Sequence, residues 1–265
     1  MQISIAMPVY NRQDFLPDVI KAFQAQTHKD FELIIVDDCS TDDSYKLAKE
    51  LAKDDPRIKV YKLDKNSGEA TARDTAVRKS SAEIIAVADS DDFPYPNRLK
   101  IIADFFEKNP DAQAFYTNLD LYYPDEGDKI VPRFFQPYNK ELLYQINYIP
   151  NPSSAYRKAA YEKVGGYDKS IWIGNDYELW LKFSDEDMQF GYDPQSTVKM
   201  TQHTGSMRHG IFDRQKQCLK DLKAKHNAPK PDIEVVKKLA NEETYKFFSQ
   251  PVKLDLWFDI KSDGS

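Results

Sequence analysis

Two cysteines in 265 residues, Cys39 and Cys218, are too few and too far apart for a metal knuckle or a redox pair. They read as ordinary reduced thiols. No stretch approaches the roughly 18 to 20 consecutive apolar residues that span a bilayer. The opening MQISIAMPVYNRQ is too short and polar for a secretory leader, so the expected location is cytoplasmic, with membrane contact at most peripheral. A basic excess is also missing: 37 Lys+Arg against 43 Asp+Glu leave a formal net charge of -6, which argues against a protein built to grip nucleic acid. Neither GxGxxG nor GxxxxGK[ST] follows the first apolar run, which excludes the dinucleotide fingerprint and the P-loop. There is no internal repeat and no low-complexity tract.

What is present is enough apolar material for a sizeable core, 41% hydrophobic with 13% aromatic. The length fits one large domain or two closely packed halves. Over the first hundred residues two periods alternate. Apolar runs at 3–9, 31–38, 57–63 and 82–92 predict strands. Helical patterns lie at 14–26, 42–53, 68–79 and 96–109, the last with Pro96 at a first helical position. Strands apolar throughout predict a mostly parallel central sheet with helices on both faces, hence an α/β fold. Beyond residue 110 the pattern loosens. Residues 114–123 and KIVPRFF predict a hairpin or a long loop across PDEGD. NKELLYQINY and 175–184 predict helices, and SSAYRKAAYEKVGGYD a short helix ending near Gly165. Two more are expected after His209, DRQKQCLKDLKAKHN and DIEVVKKLANEETYKFF, separated by APKP. The expected organisation is 1–110, 111–207 and a C-terminal helical extension, 208–265.

Acidic clusters fall at the carboxyl ends of predicted strands, Asp37 and Asp38 after the second and Asp89, Asp91 and Asp92 after the fourth. In open α/β sheets that edge is where ligands sit. In an extended chain Asp89 and Asp91 leave the same face ~7 Å apart, and their hard oxygens suit Mg2+ or Mn2+; the competing reading is a solvated turn. Asp38 can accept from a base imide or a ribose hydroxyl. Ser40 to Asp43 are read as a helix cap, Ser40 or Thr41 being the N-cap residue. Tyr10 can stack on a base or simply pack at the rim. Arg73, one turn into a helix that opens with small residues, can bind base carbonyls or phosphate, or lie on the surface. Asp176 can cap its helix or act as a general base. His203 is a structural imidazole or a further metal or phosphate ligand.

Taken in order, PVYN (8–11), ELIIVDDCSTDDS (32–44), NSGEATARD (66–74), ADSDDFPYPNRL (88–99), VGGYD (164–168), GNDYELWLK (174–182) and HTGS (203–206) resemble family-2 inverting nucleotide-sugar glycosyltransferases of GT-A fold. The resemblance spans roughly residues 1–207. It implies that Pro8, Tyr10, Asp38, Arg73, Asp89 and Ser90 hold a nucleotide-sugar donor, a UDP-sugar by family habit. Asp91 and His203 would meet a Mn2+ or Mg2+ ion, with Asp91 and Asp89 forming the DXD element and Asp92 beside it. Asp176 would be the catalytic base toward a hydroxyl on a glycan, lipid or other glycoconjugate acceptor. The sequence departs from the family where ARN becomes Ala72, Arg73, Asp74 and where Glu-Asp becomes Asn175, Asp176.

Two other readings stand beside this one. A nucleotide-sugar binder without turnover would keep the donor residues and dispense with Asp176. A sugar-1-phosphate nucleotidyltransferase would place a glycine-rich, basic loop where this chain has PVYNRQD. The lysine-bearing helices after residue 212 can touch an anionic surface, although a solvated face is the default for such a pattern.

Overall fold

A computed structural model describes residues 1–202 and 212–258. The strands are β1 (Ile3–Val9), β2 (Phe31–Asp37), β3 (Ile58–Lys62), β4 (Ile84–Val87), β5 (Phe93–Pro94), β6 (Ala114–Tyr123), β7 (Lys129–Arg133), β8 (Ser154–Arg157) and β9 (Phe190–Thr201). The helices are α1 (Leu16–Gln24), α2 (Ser44–Leu51), α3 (Glu69–Lys79), α4 (Arg98–Lys108), α5 (Lys140–Gln145), α6 (Lys158–Lys163) and α7 (Asn175–Asp185). They are followed by α8 (Phe212–Lys225), α9 (Ile233–Leu239), α10 (Glu242–Phe248) and α11 (Pro251–Phe258).

The strands form one sheet in the order β3-β2-β1-β4-β8-β6-β9-β5, with β7 added to β6. Strands β1 to β4 pair in parallel, β1 with β2 and β4, and β2 with β3. Beyond β4 the pairing is mixed: β8 runs antiparallel to β4 and β6, and β9 runs parallel to β6. Side chains alternate between two apolar layers, as period-2 geometry requires. Ile5 and Met7 of β1 pack on α1, α2 and α4, while Ala6 faces α3. The α3 face is lined by Ala70, Ala72 and Ala76, and small residues there let the helix lie close against β1 and β2.

The structure corrects several local expectations. β4 stops at Val87, and residues 89–92 form a turn closed by Asp92 N–H donating to Asp89 O at 3.4 Å. The extended alternation predicted for Asp89 and Asp91 is therefore absent. Pro96 precedes rather than opens α4, whose N-cap is Asn97. β8 lies in a segment read only as helix, and β9 was not foreseen. Its polar sequence and Pro194 hide it, and its pairing with β6 is broken by register shifts around Asn118, where a proline is tolerated. The stretch 232–248 is two helices rather than one. Ala240 is extended, and Asn241 caps α10 by accepting from Thr244 N–H. α11 was not anticipated either.

One buried ionic cluster ties β1, β2, β3 and the loop before β4 together. The Glu32 carboxylate receives bonds from Ser4 Oγ at 2.5 Å, Lys59 Nζ at 2.6 Å and the Ser81 N–H at 2.6 Å. Burial alone would raise its pKa, but the bonds from Lys59, Ser4 and Ser81 outweigh that and pull it down to about 2. A depressed carboxylate stabilises the fold above its unfolded pKa and loses that contribution as pH falls through the folded value. Glu32→Gln is therefore expected to cost about 3 kcal/mol at pH 7. The difference from wild type should shrink between about pH 4.5 and pH 2. Urea unfolding across pH measures it; a pH-independent difference would refute the assignment.

Candidate active site

The site forms where β1, β2 and β4 end. Two residues with positive φ, Asn11 (51°) and Cys39 (60°), turn the chain sharply after β1 and β2. Asn tolerates that region, whereas for Cys it is costly. The two loops are stitched together: Asn11 N–H donates to Ser40 Oγ at 3.0 Å, and Thr41 N–H to Asn11 Oδ1 at 2.9 Å. Ser40 thus braces the β1 loop rather than capping α2. Asp42 Oδ1 accepts from Ser44 N–H at 2.9 Å, and α2 starts only after Asp43. Pro8 is buried in β1, and Tyr10, just beyond it, is 41% exposed.

Asp38 is buried and accepts from two successive backbone donors, Ser67 N–H at 2.7 Å and Gly68 N–H at 2.8 Å. Burial raises its pKa against the pull of those two bonds. The carboxylate thereby fixes the loop that opens α3, where Gly68 (φ 87°) occupies a conformation that favours glycine.

Arg73 has no exposed side-chain surface. Its guanidinium donates to Ala88 O at 2.8 Å, to Glu69 Oε1 at 2.6 Å and to Asp89 Oδ1 at 2.5 Å. Burial works against its charge, but Asp89 and Glu69 hold it firmly protonated. It is thus not the surface arginine that the sequence left open; it lies wholly buried, with its bonds directed to Asp89, Glu69 and Ala88 O. Asp89 keeps 29% of its side chain exposed. Ser90 is buried. Asp91 accepts from Arg12 Nε at 2.9 Å, and Asp92 from Thr201 N–H at 2.8 Å. The crowded aspartates thus have separate partners on separate elements.

Asp176 lies in the first turn of α7, after the left-handed N-cap Gly174 (φ 78°). It is not itself the cap, which is Gly174. Asn147 Nδ2 donates to Asp176 Oδ2 at 3.0 Å. Glu69 links the two halves of the site: its pKa is raised, first by burial and then, against Arg73, by the charges of Asp89 and Asp176. Asp74, where the family often has Asn, is buried beneath Tyr161 Oη at 2.7 Å, Arg78 and Lys169. Asn175 is likewise buried.

His203 lies outside the described residues. Among the described residues no group of three His, Cys, Asp or Glu side chains converges on one point. A lone carboxylate such as Asp91 still suits a divalent ion that takes its other ligands from a donor's phosphates and water. The sequence reading passed over Arg12, Glu69, Asn147 and Trp172. Arg12 stands inside PVYNRQD and Glu69 inside NSGEATARD, so both were in view; Asn147 and Trp172 sit in stretches with no motif.

The mixed sheet flanked by helices matches the GT-A glycosyltransferase structures. The family model described as "Glycosyl transferase family 2" matches residues 4–165. The chain belongs to glycosyl transferase family 2. A putative colanic acid biosynthesis glycosyl transferase, WcaA of Escherichia coli K12, is 30% identical over 185 residues, 68% of this chain and 65% of its own length. The crystal structure of S. aureus TarS 1-349 in complex with UDP-GlcNAc superposes with a TM-score of 0.69 at 18% identity, covering 98% of this chain and 74% of that one. The mannosyltransferase PcManGT from Pyrobaculum calidifontis, in complex with GDP-Man and Mn2+, gives 0.66 at 17% identity, over 96% and 72%. Several uncharacterised relatives from Sinorhizobium and Rickettsia are much longer, and the chain spans only 18% to 27% of their length.

Because Arg73 is buried with two carboxylates, removing it strands both charges. Arg73→Leu is expected to destabilise the protein by about 3–5 kcal/mol, read as a lower urea midpoint. A loss under about 1 kcal/mol would mean that Glu69 and Asp89 are solvated well enough to stand alone.

Proposed function

We propose that this chain transfers a sugar from a nucleotide-diphosphate donor, a UDP-sugar, to a hydroxyl of a glycan, lipid or other glycoconjugate, with inversion at the anomeric carbon. One observation carries the reading. Asp38, Asp89 and Asp91 gather at one edge of the sheet, each fixed by a partner from another loop or helix: the Ser67 and Gly68 amides, Arg73 and Arg12. The neighbours support a nucleotide-sugar donor, since TarS binds UDP-GlcNAc and PcManGT binds GDP-Man with Mn2+. The relative named for colanic acid biosynthesis supports polysaccharide assembly as the setting. No helix of the described residues is long and apolar enough to cross a membrane.

In this reading Pro8 and Tyr10 border the base, and Asp38 shapes the adjoining wall through the Ser67–Gly68 loop. Asp89, held by Arg73, accepts from the ribose, with buried Ser90 shaping the turn beside it. Asp91, together with His203, would hold a Mg2+ or Mn2+ ion, which when bound neutralises charge on the leaving diphosphate. Arg12, now on Asp91, is a cation at the same edge. Asp176 takes the acceptor's proton as its oxygen attacks from the face opposite the diphosphate, and a single displacement from that face inverts the centre. Asn147 donates to Asp176 Oδ2 and orients the carboxylate for that step.

UDP, GDP, dTDP and CMP, each with and without Mn2+, would be tested by thermal shift. The matching nucleotide at a hundred times its Kd adds about 2.7 kcal/mol, a rise of roughly 5–10 °C. No shift with any of them at millimolar concentration would sink the donor site. Asp176→Asn should leave that shift unchanged and lower turnover about 10²–10⁴-fold. Full activity in this variant would move the base elsewhere. Full nucleotide binding with no turnover in wild type, across an acceptor screen, would favour the non-catalytic binder.

A further inference from the structure

Two side chains meet at the opening of α3, Glu69 in its first turn and Trp172 packed on its N-cap Gly68, and the donor and base assignments leave both unused. Glu69 opens α3, and one of its oxygens accepts from Arg73 at 2.6 Å while 29% of the side chain remains exposed. A third carboxylate close to Asp89 and Asp176 raises the electrostatic cost of the site, and a single buried guanidinium must serve both it and Asp89. The carboxylate pairs with Arg73 through one oxygen, and its exposed part keeps acceptor capacity for a ligand.

Trp172 stands beside it. At 51% it is the most exposed large apolar side chain among the described residues. Its ring lies against Gly68, 3.5 Å from where a Cβ would sit. The loop that carries it is fastened on both sides. Asp168 accepts from Ser170 N–H at 3.0 Å and from Lys225 Nζ at 2.8 Å, and Cys218 Sγ donates to Ile173 O at 2.8 Å. An exposed indole on a fastened loop is a preorganised apolar platform, and binding to it needs little further ordering.

We propose that Glu69 and Trp172 form the sugar-selecting corner of the site: the carboxylate accepts from hydroxyls of the transferred sugar, and the indole covers an apolar face of a sugar ring. This rests on the donor reading above and adds to it which residues choose the sugar. The ligand class is a neutral pyranose with vicinal hydroxyls. A sugar that carries its own carboxylate would be repelled by Glu69, Asp89 and Asp176.

The test compares affinities for UDP with those for UDP-glucose, UDP-galactose, UDP-GlcNAc and UDP-glucuronate, by calorimetry on wild type, Glu69→Gln, Glu69→Ala and Trp172→Ala. If guanine proves to be the base, GDP and GDP-mannose replace them. In the neutral-sugar series, Glu69→Ala and Trp172→Ala should each weaken the preferred nucleotide sugar about tenfold relative to UDP. Glu69→Gln should fall between, since it keeps an acceptor and the bond from Arg73. UDP itself should bind within about twofold of wild type. Parallel losses for UDP and the nucleotide sugar would overturn the proposal, because Glu69 would then act only by holding Arg73 and Asp89. Unchanged ratios in all variants, or UDP-glucuronate as the preferred ligand, would overturn it equally. A wild-type protein that binds no nucleotide at all removes the donor reading, and the corner with it.

Discussion

A buried guanidinium organises this site. Arg73 projects from α3 beneath the ends of β1 and β4, where it donates to Ala88 O and lies 3.4 Å from Ala6 O. Its position follows from the alanines on α3, which bring the helix close enough for the arginine to reach under the sheet edge. A full positive charge in such surroundings is tolerable only when paired. Asp89 and Glu69 supply the pairing, and their own charges are tolerated for the same reason. The aspartate expected to hold the donor is thus fixed by a helix that never contacts it with its backbone.

The neighbouring carboxylates follow the same logic with different partners. Asp38 is held by two amides, Asp91 by Arg12 from the β1 loop, and Asp92 by the Thr201 amide at the end of β9. Four acidic groups along one edge would repel one another if they depended on solvent alone. Distributing them over a loop amide pair, a helix, a loop arginine and the end of β9 converts that repulsion into constraints on how the loops lie. Asp92, which in sequence looks like one more site carboxylate, serves to dock β9 and so closes the edge of the sheet beside the turn.

The sequence was most legible where one physical demand dominates. β1, β2 and β4 are buried on both faces, so their apolar runs stand out, and β1 and β6 fall where the pattern predicts. β9 escaped because its partner β6 changes register and its own residues are half polar around Pro194. β8 escaped because four residues, SAYR, run directly into α6. In the site, the aspartates were found by their position after apolar strands, but their partners were not. Arg12 and Glu69 lie beside recognisable motifs, yet nothing local distinguishes a charge on the surface from one beneath a sheet edge. Arg73 was identified as a candidate site residue, while its complete burial depends on a packing distance that only the fold sets.

Asp176 presents a different problem, because its half of the sheet contributes little to its support. Asn147, which orients it, follows α5, and the carbonyls at the end of α5, Tyr144 O and Gln145 O, receive Lys223 Nζ from α8. That lysine is buried, and burial lowers its pKa to about 7. Tyr177, next to Asp176, donates to Leu143 O in α5 and meets Trp257 of α11 edge-on at 5.6 Å. Glu178, one residue further, is wholly buried and held by Lys182 and Lys225. The C-terminal helices therefore share one apolar core with the helix that carries Asp176. The strand-end aspartates take their geometry from a parallel sheet that is rigid by its own hydrogen bonding. Asp176 takes its geometry from helices packed around it, so its position is set by side-chain packing contributed as far along the chain as Trp257.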